Sequence, residues 1–177
     1  MNAARGCLEE TGLTWENLTA VAAALGPGSF TGIRVGLATA LGLVESRGLK
    51  LIGVGSLDCI ARGAKGELGE GETVCATLPA GPGLYYAQLF RDGEPLGGCG
   101  LTSAGELGTS YPAGAYIGAD LDFLKNPTGR ILRQPDWVSP VHLGALASER
   151  LIRGETDDPT RIRPLYVKRP AARPTPR

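Results

Sequence analysis

The sequence predicts an α/β protein, and three observations carry the prediction. An uncharged apolar run at residues 20–25 leads through Gly26-Pro27-Gly28-Ser29 into a proline-free helical stretch at 31–47. A second apolar run at 49–54 leads into another helical stretch at 57–61. Further on, two strand-like runs at 73–78 and 84–90 flank the turn Pro79-Ala80-Gly81-Pro82-Gly83. Strand–helix–strand–helix implies parallel pairing with right-handed crossovers, whereas strand–turn–strand implies an antiparallel hairpin.

In chain order, residues 1–12 read as a helix anchored by Leu8, with Gly12 as its stop and Leu13 beyond it. Residues 13–18 connect it to the first strand, with Thr14 suited to cap a short turn. In the turn after that strand, Gly26 and Gly28 tolerate positive φ, and Ser29 or Thr31 can accept an N–H at the helix start. Gly48 ends the long helix, and Ser56 is placed to cap the next one. Residues 63–71 are polar and glycine-rich, which marks a lobe boundary. Beyond the hairpin we expect a third strand at 95–101, a short helix near 103–107, a strand at 115–118 and a helix at 121–125. A final helix at 141–153 carries the apolar set Val141, Leu143, Leu146, Ala147, Leu151 and Ile152. Residues 164–167 are expected to dock and Lys168 onward to be mobile. The division is then 1–66 as a first lobe, 67–156 as a second and 157–177 as a proline- and arginine-rich tail.

The long helix is unusual in its periphery. At about 100° per residue, Ile33, Leu37, Ala40, Leu41 and Val44 share a core-facing side. The opposite side holds Gly32, Val35, Gly36, Thr39, Gly42, Leu43 and Ser46, with only a narrow charged seam of Arg34 and Glu45 and Arg47 at the end. A helix apolar or small nearly all round is normally covered on both sides. The cover is either another element of this chain or a second protein. The turn before it has three readings: a phosphate cradle at a helix N-terminus, a purely structural turn, or part of a docking surface. The cradle lacks a P-loop lysine and a dinucleotide fingerprint.

Composition narrows the function. Lysine plus arginine equals aspartate plus glutamate at 18 each, so no overall field draws the chain to nucleic acid or an anionic membrane. No signal-like or membrane-spanning run stands out, which makes the cytoplasm the expected location and no membrane a partner. Cys7, Cys59, Cys75 and Cys99 are too far apart for a metal or redox pair and read as free thiols. The single histidine, His142, has no ligand-like neighbour in sequence, and no G-x-S-x-G elbow supports a triad with Ser29. Asp120 and Asp122 suit a helix cap better than Mg²⁺, and Tyr85, Tyr86 and Phe90 suit packing better than base stacking. The cluster Arg161, Arg163, Lys168, Arg169, Arg173 and Arg177 reads as a solvated basic tail, with RNA phosphate as the alternative. No catalytic residue, metal or other cofactor is expected.

Residues 26–40, GPGSFTGIRVGLATA, and 51–57, LIGVGSL, closely resemble the TsaB (YeaZ) family of tRNA threonylcarbamoyladenosine biosynthesis. More weakly, residues 80–90 are similar to the family's link into its second lobe, and the final helix with Pro164-Leu165-Tyr166-Val167-Lys168 looks like the family's ending. The resemblance implies an actin-like/Hsp70-like (ribonuclease H-like) two-lobe fold. It implies a non-catalytic subunit that pairs with a TsaD-like catalytic subunit and works with a TsaE-like ATPase, reaching tRNA only through the complex. Pairing in the family uses the first two helices of the N-terminal lobe, which match residues 1–12 and 31–47. Leu8 therefore joins Gly32, Val35, Gly36, Thr39 and Leu43 as the expected partner-binding set, with a homodimer as the other use of that face. Family members begin with a strand resembling ILAIDTS and two further strands, whereas this sequence starts at the first helix. We therefore expect the first three strands to be missing, an open edge at residues 20–25, and marginal stability or self-association. The alternatives to the scaffold are a small enzyme of the same superfold, a nucleotide-dependent phosphotransferase or a peptidase, and a tail-mediated nucleic-acid binder.

Overall fold

The computed structural model describes residues 2–124, 129–132 and 138–167. Helix α1 (Asn2–Thr11) stops at Gly12, whose φ of +68° lets the chain reverse, and Leu13 N–H donates back to Leu8 O at 2.9 Å. A 3-10 turn at Trp15–Asn17 follows, held by Asn17 Oδ1 accepting from Thr14 N–H at 2.8 Å and from its hydroxyl. The cap expected from Thr14 is thus supplied by Asn17 reaching back.

Strands β1 (Ala20–Gly26) and β2 (Lys50–Gly55) pair in parallel, joined by helix α2 (Phe30–Arg47). Ser29 Oγ accepts from Gly32 N–H at 3.2 Å at the start of α2, and Gly48 closes its end with φ +65°. Leu37, Ala40 and Val44 pack on Ala23, Leu49 and Leu51, so the predicted core side of α2 is the observed one.

Helix α3 (Ser56–Arg62) sits between two sheets, and five of its seven residues are buried. Ser56 lies inside the helix, 3% exposed, and gives no side-chain cap; the N-cap is Gly55. Leu57, Ile60 and Ala61 pack on a second sheet, whereas Cys59 packs with Ile52 and Val54 of the first.

That second sheet begins with the antiparallel pair β3 (Thr73–Gly81) and β4 (Leu84–Arg91). Val74, Ala76 and Leu78 face α3 while Cys75 faces a cluster with Ala87, Leu107, Tyr116 and Leu121, the two-residue alternation of a strand buried on both faces. The single strand expected at 95–101 is two short ones, β5 (Glu94–Pro95) and β6 (Gly100–Ser103), separated by Gly97-Gly98 and both antiparallel to β4. Helix α4 (Leu107–Ser110) starts later than expected, because the buried Leu107 rather than the polar Ser103 anchors it. Strands β7 (Ala115–Ile117) and β8 (Arg130–Leu132) add in parallel, giving the order β5–β4–β3–β7–β8 with β6 beside β4. The helix expected at 121–125 is absent: 121–124 form a turn after Asp120, whose φ is +55°, and Lys125 lies outside the described residues.

Helix α5 (Pro140–Ile152), capped by Ser139, returns to the first sheet and packs Leu143, Leu146, Ala147 and Leu151 against Ile52, Val54, Ala20 and Ala22. Sequence order groups it with the second lobe, but its burial partners are β1, β2 and α3. Residues 157–167 are fastened rather than loose. Asp157 N–H donates to Leu51 O at 2.8 Å, its carboxylate accepts from Gly53 N–H at 2.7 Å and pairs with Arg150, and Leu165 N–H donates to Leu25 O at 2.7 Å. The stretch from Lys168 lies outside the described residues.

Gly118, just past the end of β7, lies close against Thr77 of β3. Its φ is +151°, and a Cβ there would overlap the Thr77 carbonyl and hydroxyl, the latter donating to Ile117 O at 3.2 Å. Gly118→Ala should lower unfolding free energy by about 2 kcal/mol or more, read from urea melts.

Candidate docking surface

The outward side of α2 is open. Gly32, Val35, Gly36, Thr39, Gly42 and Ser46 are exposed, and Val35 presents 60% of its surface to solvent. Leu43 departs from the expectation. It is 9% exposed and belongs to the buried residues of α2, so it is not part of the open flank. Angular position places Leu43 beside Gly36 and Gly32 on the wheel, but tertiary cover at the C-terminal half of the helix reaches further round than at its start. Leu8 is half-buried on α1, and no α1 side chain enters a hydrophobic cluster of described residues.

Nothing among the described residues requires glycine at 36 or 42. A Cβ at either position meets no atom within 4 Å. Glycine within a helix costs about 1 kcal/mol relative to alanine. The flank is also quiet in hydrogen bonding, since Thr39 Oγ1 donates to Val35 O at 2.8 Å. What α2 offers is a shallow surface of glycines, methyls and one valine, with no charge until Arg34 and Glu45 at its border. Close approach of another helix is the packing such small residues permit.

Beside this flank, β1 pairs only with β2 among the described residues. An open groove of about 720 Å³ runs along it, lined by Ala22, Ala23, Ala24, Ile33, Gly36 and Leu78 among others. At the N-terminal border of α2 stands a feature the sequence reading missed. Arg34 Cζ lies 3.9 Å above the Phe30 ring, Arg34 Nε–H donates to Tyr166 OH at 2.9 Å, and the two rings are 5.7 Å apart. The i,i+4 spacing of Phe30 and Arg34 was legible, but Tyr166 is 132 residues from Arg34.

The other candidates do not assemble an active site among the described residues. Ser29 is committed to capping α2, and His142 Nδ1 has no partner, so the two do not form a dyad through that nitrogen. Among the described residues, no three His, Cys, Asp or Glu side chains converge to hold a metal. Asp120 turns the chain at φ +55°, and residues 121–124 after it form no helix. Tyr85 is buried, donates to Asp120 O at 3.0 Å and stacks on Phe123 at 4.8 Å, so the predicted packing role holds for it. The Gly26–Gly32 turn is occupied from within: Gly32 N–H goes to Ser29 Oγ and Ile33 N–H to Ser29 O, while residues 165–167 run beside it. A polar cavity of about 350 Å³ between α3, α5 and the β4–β5 turn contains Arg62, Arg150 and Arg153, each paired with a carboxylate. Arg62 and Glu149 form a two-pronged contact at 2.6 and 3.0 Å. Asp58 in the same cavity has its carboxyl pushed up by burial, with the charge of Glu94 adding to the shift. No described helix is long and apolar enough to cross a membrane.

Comparison with known proteins adds to this geometry. A family model described as "TsaD: tRNA N6-adenosine threonylcarbamoyltransferase" matches residues 1–118. An uncharacterized protein of Mycobacterium leprae is 34% identical over 154 residues, covering 81% of this chain but only 41% of the relative. One from Mycobacterium tuberculosis H37Rv is 31% identical over 167 residues, covering 94% of this chain and 72% of the relative. The Escherichia coli tRNA threonylcarbamoyladenosine biosynthesis protein TsaB is 38% identical over 86 residues, which is 48% of this chain and 37% of that protein. A crystal structure from Pseudomonas aeruginosa, described as similar to peptidase YeaZ, superposes with TM-score 0.77 at 22% identity, covering 93% of this chain and 81% of that one. That likeness shows the fold to be the actin-like α/β architecture.

Two measurements follow from the surface and the thiols. Gly36→Ala should stabilise the isolated chain by about 0.5–1 kcal/mol in urea denaturation, because it gains helix propensity without a clash. Burial pushes the Cys59 and Cys75 thiols up to about 12 and Cys99 to about 11, whereas Cys7 is exposed. With a disulfide reagent near about pH 8, Cys7 should react at once, Cys99 slowly, and Cys59 and Cys75 only on unfolding.

Proposed function

We infer the function from a premise of descent: this chain belongs to the TsaD family of tRNA N6-adenosine threonylcarbamoyltransferase proteins, in its TsaB (YeaZ) group. It acts in the formation of N6-threonylcarbamoyladenosine in tRNA, as a non-catalytic subunit of the cytoplasm that pairs with a TsaD-like catalytic subunit. A TsaE-like ATPase joins the complex, and tRNA is reached through the assembled partners. The observation that carries the reading is the open flank of α2. Gly32, Val35, Gly36 and Thr39 are exposed together, and glycine at 36 is required by no contact among the described residues. Leu8 of α1 belongs to the same docking face, whereas Leu43 does not.

The E. coli and Haemophilus influenzae relatives named TsaB match over 86 residues each, which supports the role in tRNA threonylcarbamoyladenosine formation. A second copy of the chain is the competing occupant, because the same small-residue flank can meet itself about a twofold axis.

Gly36→Asp should abolish co-purification with the TsaD-like subunit, since a charge enclosed by a helix–helix contact without a partner costs several kcal/mol. The variant should itself remain folded, because residue 36 faces solvent in the free chain. Undiminished recovery of the complex would remove the interface assignment.

A further inference from the structure

The stack of Phe30, Arg34 and Tyr166 joins the start of α2 to the stretch 162–167. Phe30 is 56% exposed and Tyr166 52% exposed, although both are large and apolar-bodied. Neither is needed to close the core beneath. The stretch ending at Val167 is already tied down by the Leu165 N–H bond to Leu25 O and by Ile162, which packs on the α2 cluster. The three side chains nevertheless hold one another in a fixed arrangement. The Arg34 guanidinium covers Phe30 at 3.9 Å and stands 5.8 Å from the Tyr166 ring, and its Nε is spent on the Tyr166 hydroxyl.

Two groups in this stack have a free face. The outer guanidinium nitrogens of Arg34 have no carboxylate partner among the described residues, while the rings expose apolar surface. Rigid aromatic side chains with an arginine are the composition of interface hot spots, and their ordering cost is met before a partner arrives. The stack borders the open arc of α2, since Phe30 and Arg34 are the sequence neighbours of the exposed Thr31 and Val35.

We propose that Phe30, Arg34 and Tyr166 form a preorganised anchor that extends the α2 docking face onto the C-terminal stretch 162–167. The anchor receives an acidic side chain flanked by apolar surface on the TsaD-like partner. This rests on the docking reading above. The carboxylate pairs with the outer nitrogens of Arg34, and the apolar surface covers the two rings. The C-terminal stretch is then part of the recognition surface, beyond its role of covering β1 and β2.

The test compares full-length chains in titration calorimetry against the TsaD-like subunit. Tyr166→Ala and Phe30→Ala should each weaken binding roughly tenfold or more, and Tyr166→Phe should keep most of the affinity. Arg34→Ala should weaken binding and flatten its salt dependence. Hydrogen exchange on the unmutated chain provides a readout free of folding effects: the amides of 162–167 should slow when the partner is added. If Gly36→Asp abolishes binding while Tyr166→Ala leaves it unchanged and 162–167 gain no protection, the anchor is refuted and the α2 docking reading stands. If Gly36→Asp has no effect, the docking reading fails and the anchor fails with it. Loss confined to self-association, with partner affinity intact, also overturns the anchor.

Discussion

Everything else in this molecule is arranged around the burial of α3 between two sheets. Seven residues cannot form a stable helix on their own, because nucleation is unfavourable and few bonds repay it. Here Leu57 and Ile60 meet β3, β4 and β7, while Cys59 meets β2 and α5. The helix therefore exists because two hydrophobic surfaces require it, and each sheet is covered because the helix is there. The Arg62–Glu149 pair ties α3 to α5 on the same seam, though its partners are partly exposed, so its energetic share is modest. Local crowding follows from the same burial. A Cβ on Gly55 would meet the Asp58 carboxylate, which would have to turn away from the strand-to-helix junction.

This arrangement leaves α2 with only one employed side. Leu37, Ala40 and Val44 satisfy β1 and β2, and α5 covers the opposite face of that sheet. No described element of the chain covers the flank carrying Val35 and Gly36. A helix on the surface of a monomer would gain from lysine, glutamate or alanine at such positions. This one keeps glycine where alanine would fit, a local choice that opposes stability and is consistent with a demand from outside the fold.

Legibility in the sequence followed the range of the interactions. The unit from β1 to α3 could be read almost residue by residue, because strand, turn, cap and helix face are set by neighbours a few positions apart. The core side of α2 followed from its period alone. Where long-range contacts decide, the reading faltered. β8 depends on a parallel partner, β7, with Ala115 paired to Arg130 and Ile117 to Leu132, and its own run is three residues long. The turn at 121–124 resembles a helix start until Asp120 takes a left-handed conformation that directs the chain elsewhere. Leu43 illustrates the same limit within a single helix: periodicity gives its angle correctly, but only the tertiary structure shows how far round the cover extends. Tyr166 was legible as a docked residue and illegible as a partner of Arg34.

Two features without a partner among the described residues stand side by side on β1 and α2, and they differ in what they can recognise. The edge of β1 offers backbone donors and acceptors with alanines above and below, a template that any extended strand can read. The flank of α2 offers shape: for a helix docked there, glycines at 32 and 36 would set how close it comes, Val35 where it must be hollow, and Arg34 where a carboxylate would be welcome. Specificity comes from the second kind of surface, because a wrong partner there meets a clash or leaves a charge unpaired. The residues 162–167 connect the two. They bond to Leu25 at the end of β1 and stack on Arg34 at the start of α2, so a partner that engages the stack presses on the same stretch that closes the end of the strand. Recognition at the helix and order at the strand's end are in this way joined through one short piece of chain.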